Sequence, residues 1–238
     1  MIFDNLITYK KEVFELVVSF ENQDNNLLIT YFNQHCFNIY KTDPTYNKII
    51  EDFHIYPDGF GMYLALKIFN RKQIEKYNAT DLNEEIIISL NKLKKRIFIV
   101  GGNFLGAQIC NAINNGNNIC GYQNGFFSEQ EENEIINNIE SNNPDVIFVA
   151  MGVPKQEYFA VKLAENVKGK VVICAGNFFE YYLENMKRIP EKLRNLGIEW
   201  LFRLFAEPKR LWKRYILGIP VFFFLILREL INNNFSKR

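Results

Sequence analysis

Short, almost wholly apolar runs recur along the chain, separated by longer stretches in which apolar residues return every three or four positions. The short runs predict buried strands at 27–31, 53–56, 96–100, 119–122, 146–150 and 170–175. The stretches between them predict amphipathic helices at 10–20, 35–41 and 60–69, then one with Leu82, Ile86, Leu90 and Leu93 on a single face. Three more follow: one through Ala107 and Ile113, one reaching Ile139, and one opening at Lys155, Gln156 and Glu157. Polar residues punctuate the pattern. Thr80 or Asp81 can cap the helix after the loop at 76–80, Ser128 with Glu131 makes a capping box, and Asn143-Pro144 turns the chain. Strands answered by helices over this length predict an α/β fold, Rossmann-like and doubly wound around a mostly parallel sheet, with ligand at the carboxyl ends of the strands.

Those ends are rich in glycine and polar residues. In order they present Thr30 and Asn33, Pro57-Asp58-Gly59, Gly101-Gly102-Asn103, 121–125 with Gly125 at its end, Gly152 to Glu157, and Gly176-Asn177. Glycine lets a backbone approach a phosphate and accepts positive φ, so a nucleotide is the economical ligand. The strand, polar elbow and helix within 145–164 would aim unpaired N–H groups and a positive helix end at it, although ordinary turns of this kind are common. Gly101-Gly102 is not a complete GxGxxG fingerprint and no GxxxxGK[ST] loop is present, which argues against a dehydrogenase and a P-loop NTPase. Asp58, between a rigid proline and a glycine, is either a turn aspartate or a general base held in the crevice. His35 and His54 have ordinary helical and strand positions. No Asp-x-Asp pair stands ready for a divalent ion, so neither a metal nor another cofactor is expected.

Composition changes the picture at one end. The 238 residues are 48% hydrophobic and 15% aromatic with a net charge of +1, which speaks against a nucleic-acid partner. Cys36, Cys110, Cys120 and Cys174 are scattered through apolar contexts, as buried free thiols of a reducing cytoplasm would be. The first residues contain no basic leader or small-residue cleavage site, so no export signal is expected. Basic residues crowd 187–214, and Arg203, Arg210 and Arg214 fall near one helical face among Trp200, Trp212 and Tyr215. The apolar run 216–227, interrupted by Gly218 and Pro220, is shorter than the roughly 20 residues that cross a bilayer. It reads as an interfacial helix with basic and aromatic anchors, or else as a core helix. Arginines beside a membrane suit a lipid-linked pyrophosphate. The expected division is a catalytic core at 1–195, split into 1–95 and 96–195, and a helical membrane appendage at 196–238.

The series YPDGFG (56–61), IFIVGG (97–102), GYQNGFF (121–127), VAMGVPKQE (149–157), MKRIPEKLRNLGIEWLFRL (186–204) and EPKRLWKRY (207–215) resembles the WecG/TagA/CpsF family of bacterial glycosyltransferases, glycosyltransferase family 26, over nearly the whole chain. The resemblance implies inverting, metal-independent transfer of an N-acetylmannosamine-type or related sugar from a UDP-sugar to an undecaprenyl-diphosphate-linked sugar. That reaction serves cell-surface polysaccharide or teichoic acid synthesis, on the cytoplasmic face of the membrane. It implies Asp58 as the base, Thr30 and Asn33 near the sugar, Gln156 and Glu157 at the nucleotide, and Arg203, Arg210 and Arg214 closing over the site. Gly59, Thr80, Asp81, Gly101, Gly102, Gly125 and Gly152 complete the expected substrate pocket. Departures cluster near the donor: Lys76 and Ala79 replace the usual Arg and Gly, Glu180 replaces Asp, a following glycine is lost at 183–185, and Ile189 replaces Ala. A nucleotide-sugar-binding regulatory or scaffold protein is the alternative, and homo-oligomerisation stays open.

Overall fold

The computed structural model describes residues 2–21, 24–69, 74–102, 108–109, 118–182 and 199–235. Six strands form one sheet: β1 Leu27–Phe32, β2 His54–Pro57, β3 Ile97–Gly101, β4 Ile119–Gln123, β5 Val146–Ala150 and β6 Val171–Cys174. Their order across the sheet is β2-β1-β6-β5-β3-β4, and each neighbouring pair is parallel. Burial explains the composition of each strand. β1, β3 and β6 are buried along their whole length and carry few polar side chains, whereas β4, at one edge, is half-exposed throughout. The other edge, β2, is covered where Leu6 bridges to Ile55 and the Ile7 N–H donates to the Ile55 carbonyl at 2.8 Å.

Around the sheet lie α1 Lys10–Val18, α2 Gln34–Thr42, α3 Pro44–Ile49, α4 Gly59–Ile68, α5 Ala79–Lys92, α6 Glu132–Asn142, α7 Lys155–Asn166 and α8 Phe178–Tyr182. At the C-terminal end come α9 Glu199–Ala206, α10 Pro208–Trp212 and α11 Gly218–Phe235. The expected strands and helices lie within a few residues of these bounds, and the sequence pattern missed α3 and α8. The helix through Ala107 and Ile113, Asn103, Cys110 and the motif residues 186–198 fall outside the described residues.

Two caps differ from expectation. Asn78, not Thr80 or Asp81, caps α5: its Oδ1 accepts from the Asp81 N–H at 2.8 Å while its amide donates to the Asp81 carboxylate at 2.6 Å. Ser128 and Glu131 do meet, with the Glu131 carboxylate accepting from the Ser128 N–H at 2.8 Å and hydroxyl at 2.7 Å. They close a turn ahead of α6, however, which begins only at Glu132.

The apolar tail is one helical rod despite Gly218 and Pro220. A π-helical turn, Lys213–Leu217, joins α10 to α11. Widening at this point gives the Pro220 ring room against the carbonyl four residues earlier, which would otherwise break the helix. The run Pro208–Asn232 is consequently 25 residues long, and by length and composition alone it could cross a membrane. One face of it belongs to the protein core: Phe222 is 1% exposed, Ile226 is buried, and Phe222 meets Phe37 of α2 edge-on at 5.4 Å. Asn38 donates to the Gly218 carbonyl at 2.7 Å and Lys41 pairs with Glu229, fixing the rod along α2.

The sheet reverses its winding between β3 and β5, and there the backbone is crowded. Gly101 has φ +138°, and a Cβ built on it would lie 2.3 Å from the Ala150 carbonyl oxygen. Gly152, at φ +78°, would meet nothing within 4 Å. Replacing Gly101 by Ala is therefore expected to lower the unfolding free energy by at least about 2 kcal/mol, and the same change at Gly152 by only about 1 kcal/mol. Urea unfolding of the two variants checks this; equal losses would mean that crowding contributes nothing at Gly101.

Candidate active site

Two cavities open at the carboxyl ends of the strands. The larger, about 1210 Å³, lies over the reversal between β3 and β5, with Gly102, Gly125, Gly152 and Gly176 along its floor. The backbone approaches closely here because side chains are absent: the Gly125 N–H donates to the Gly102 carbonyl at 3.0 Å, and a Cβ on Gly125 would lie 3.0 Å from the Gly101 Cα. The facing wall is cationic and comes from the tail, with Arg203, Arg210, Lys213 and Arg214. The smaller cavity, about 520 Å³, is lined by Asn33, Asp58, Gly59, Thr80 and Asp81 on one side and by Trp200, Tyr215, Ile219, Phe222 and Phe223 of the tail on the other. Tyr31, Asn177, Glu199, Arg203 and Arg214 line both cavities, so the two meet at a pair of guanidinium groups.

Asp58 occupies the N-cap position of α4 but does not cap it. Its Oδ1 accepts instead from the Ala79 N–H at 3.0 Å, so the carboxylate rests on the first turn of α5. Burial raises its pKa above the ordinary aspartate range, against the Ala79 N–H and Arg203, which lower it. A carboxylate raised in this way and open to a cavity is equipped to take a proton.

Arg203 and Arg214 each keep a buried Nε atom without a hydrogen-bond partner. Arg203 donates through Nη2 to Glu199 at 2.7 Å and lies 4.7 Å above the Tyr181 ring, which orients the fork without using it up. Arg210 reaches the larger cavity but is committed to Glu207, to which its Nη2 donates at 2.7 Å. His35 was read from sequence as a helix-surface residue, yet it stands in the wall of the larger cavity; burial first, and then Arg214, hold its pKa down to about 4, so it is neutral at pH 7. Its place in the first turn after a strand end was the signal that sequence reasoning passed over.

Thr30, Gln156 and Glu157 are buried beneath the floor and line neither cavity. The Thr30 hydroxyl and the Gln156 amide donate to Glu157 Oε1 at 2.7 and 2.8 Å, and Gln156 Oε1 accepts from the Gly176 N–H at 3.0 Å. Gly101 likewise packs below the floor, against Ala150. Of the expected pocket residues, the structure thus gathers Asn33, Asp58, Gly59, Thr80 and Asp81 around one cavity, Gly102, Gly125, Gly152 and Arg210 around the other, and Arg203 and Arg214 between them. Among the described residues, no three His, Cys, Asp or Glu side chains converge as a metal site would require.

A parallel sheet with a glycine floor at its switch point, guanidinium groups above it and a raised carboxylate alongside defines an α/β enzyme shaped for a phosphate-bearing substrate. More particularly, the chain belongs to the WecG/TagA/CpsF family of glycosyl transferases, whose family model matches residues 3–236. It is a glycosyltransferase. Two curated relatives are each named N-acetylglucosaminyldiphosphoundecaprenol N-acetyl-beta-D-mannosaminyltransferase. The one from Bacillus spizizenii is 29% identical over 193 residues, 79% of this chain and 73% of the relative. The one from Bacillus subtilis is 32% identical over 179 residues, 74% of this chain and 68% of the relative.

Glu157 supplies a test of the buried cluster. Burial pushes its carboxyl up to about 7, against the hydrogen bonds from Gln156 and Thr30, and its Oε2 is buried without a partner. The folded protein keeps a proton that the unfolded chain releases, so this contribution to stability is fully present below about pH 4.5 and lost as the pH rises through about 7. Over that interval the wild-type protein should lose about 3 kcal/mol that Glu157→Gln, which keeps the shape of the protonated acid, does not lose. Urea unfolding across the pH range measures the difference; parallel curves for the two proteins would exclude Glu157 as the source.

Proposed function

We propose that this glycosyltransferase moves an N-acetylmannosamine-type sugar from a UDP-sugar to a sugar carried on a polyprenyl diphosphate, in one inverting displacement that needs no metal ion. The observation that carries the reading is the meeting of the two cavities at Arg203 and Arg214, with Asp58 in one and the glycine floor in the other. The relatives' shared name supplies the chemistry: N-acetylmannosaminyl transfer onto N-acetylglucosaminyl diphosphoundecaprenol. The UDP-sugar lies in the larger cavity, its diphosphate between the glycine backbone and the arginines. The acceptor sugar enters the smaller one. Asp58 accepts the proton of an acceptor hydroxyl as that oxygen bonds to the anomeric carbon. The bond from that carbon to the diphosphate breaks, and its electron pair leaves on the UDP oxygen. Arg203 and Arg214, whose buried Nε donors have no partner within the protein, take up the growing charge, with Arg210 at the outer rim.

This assignment gives 1–95 most of the acceptor side, 96–195 most of the donor side and 196–238 the wall completing both, although Tyr31 and His35 also line the larger cavity and Ala175, Asn177 and Phe178 the smaller. Thr30, Gln156 and Glu157 act on the substrates indirectly, by fixing Tyr31 and Gly176. The tail also supports a peripheral place on the cytoplasmic face of the membrane. Phe205 is 75% exposed and Phe224 65%, while Phe222 and Ile226 of the same rod are locked into the core. A helix so fastened can lie on a bilayer but cannot span it without drawing the domain into hydrocarbon.

Replacing Asp58 by Asn is expected to lower kcat at least about a hundredfold while leaving unfolding cooperative. In the wild type, kcat/KM should fall on acidification with a midpoint above the usual aspartate range, because the base must be ionised and its pKa is raised. Mass measurement of product from a UDP-N-acetylmannosamine donor and a lipid-diphosphate acceptor reads both. Near-normal turnover by the Asn variant removes Asp58 from the role.

A further inference from the structure

The smaller cavity has polar side chains along its core side, Lys10, Gln34, Glu75, Lys76 and Asn78 among them, and an apolar stretch on its tail side. Asp58, Thr80 and Asp81 mark the end where the acceptor sugar reacts, and Arg203 with Arg214 mark the junction where an anion is neutralised. Trp200, Ile219, Phe222 and Phe223 of the tail form that apolar stretch. It is rigid: Phe222 is pinned edge-on between Phe37 at 5.4 Å and Phe223 at 5.3 Å. Nor does it end at the cavity mouth. Phe223 is 40% exposed, and beyond it α11 presents Phe224 and Leu227 to the outside. A carboxylate, two cations and an aromatic face that continues to an apolar surface suit an amphiphile with a sugar head, an anionic link and a hydrocarbon tail.

We propose that the wall formed by Trp200, Ile219, Phe222 and Phe223 is a subsite for the isoprenoid units next to the diphosphate of the acceptor, so that the enzyme reads the lipid as well as the sugar. The proposal rests on the transfer reaction proposed above and adds a specificity to it. With the sugar at Asp58 and the diphosphate at Arg203 and Arg214, the apolar face of α11, exposed at Phe223, Phe224 and Leu227, is what remains for the chain. Burying apolar surface against Phe223 and Trp200 lowers the free energy of the bound acceptor in proportion to the area covered. Branched, unsaturated isoprene units present that area at once, whereas a short linear alkyl chain leaves the face part-covered.

The test uses the full-length protein in one detergent with acceptors that share the same sugar-diphosphate head. One carries a short alkyl chain and the others carry isoprenoids of increasing length. In the wild type, kcat/KM should rise about tenfold or more from the alkyl to the isoprenoid acceptors and level off once the face is covered. Phe223→Ser should remove about tenfold of that gain, and Ile231→Ser, further along the same helix and outside the cavity, should keep the wild-type ratio. Phe223→Leu, which retains apolar bulk, should recover most of the gain. A wild-type enzyme indifferent to the chain overturns the proposal, as does a Phe223→Ser variant that loses the same factor on every acceptor. Turnover of the alkyl acceptor alongside either result leaves the transfer reaction standing. Absence of turnover with any acceptor, alkyl included, overturns the transfer reading and this proposal with it.

Discussion

A buried acid holds the middle of the sheet together. Glu157 has no access to water, and its Oε1 is bound by a hydroxyl from β1 and an amide from its own helix; the neighbouring Gln156 in turn catches the N–H of Gly176, where the chain leaves β6. An ionised carboxylate in such a place costs several kcal/mol, so the group stays protonated more readily than usual and its partners become obligatory. The consequence is positional. Thr30 and Gly176 are the residues next to Tyr31 and Asn177, which line both cavities. The polar cluster beneath the floor thus sets the partition between the two cavities without lining either.

The other half of the architecture is laid on afterwards. The sheet and its flanking helices leave the crevice open, and the C-terminal rod roofs it by packing Phe222 and Ile226 into the core along α2. The π-helical turn is where this roof does its chemistry. It brings Tyr215 inward to 4% exposure and carries Arg214 to the junction of the cavities, while letting the rod pass Pro220 without breaking. Cations and apolar side chains that sequence spacing treats as one amphipathic stretch are thereby sorted into three directions: Arg203 and Arg214 to the cavities, Phe222 and Ile226 to the core, Phe205 and Phe224 to the surroundings.

Much of this was legible before any coordinates. Each strand of a parallel sheet is covered on both faces, so each shows as an apolar run, and Val146–Ala150 was found to the residue. Asp58, Asn33 and the glycine ends were legible because strand ends in such a fold face one crevice. Sheet order was not, since nothing local distinguishes β6 next to β1 from any other neighbour. The cap of α5 was misplaced because Asn78, Thr80 and Asp81 all have capping chemistry, and only the path of the loop selects Asn78. Gln156 and Glu157 were expected at the nucleotide because they open the helix that follows a strand end. The phase was nevertheless present: Gln156 leads Phe159, Ala160 and Leu163 at helical spacing, and those residues form the buried stripe of α7. The tail was read as too short for a bilayer because only the apolar run 216–227 was counted, whereas the helix continues past it on both sides, from Pro208 to Asn232.

The rod has two working faces on one cylinder. On the reading proposed above, and with the outer face on lipid headgroups, Asp58 stands off from them by about the width of a helix, roughly 10 Å. That gap is a ruler. A single sugar on its diphosphate spans it comfortably, while a longer glycan on the same carrier would have to fold back to present its tip. On the reading proposed above, that arrangement favours acceptors whose reacting sugar sits close to its lipid.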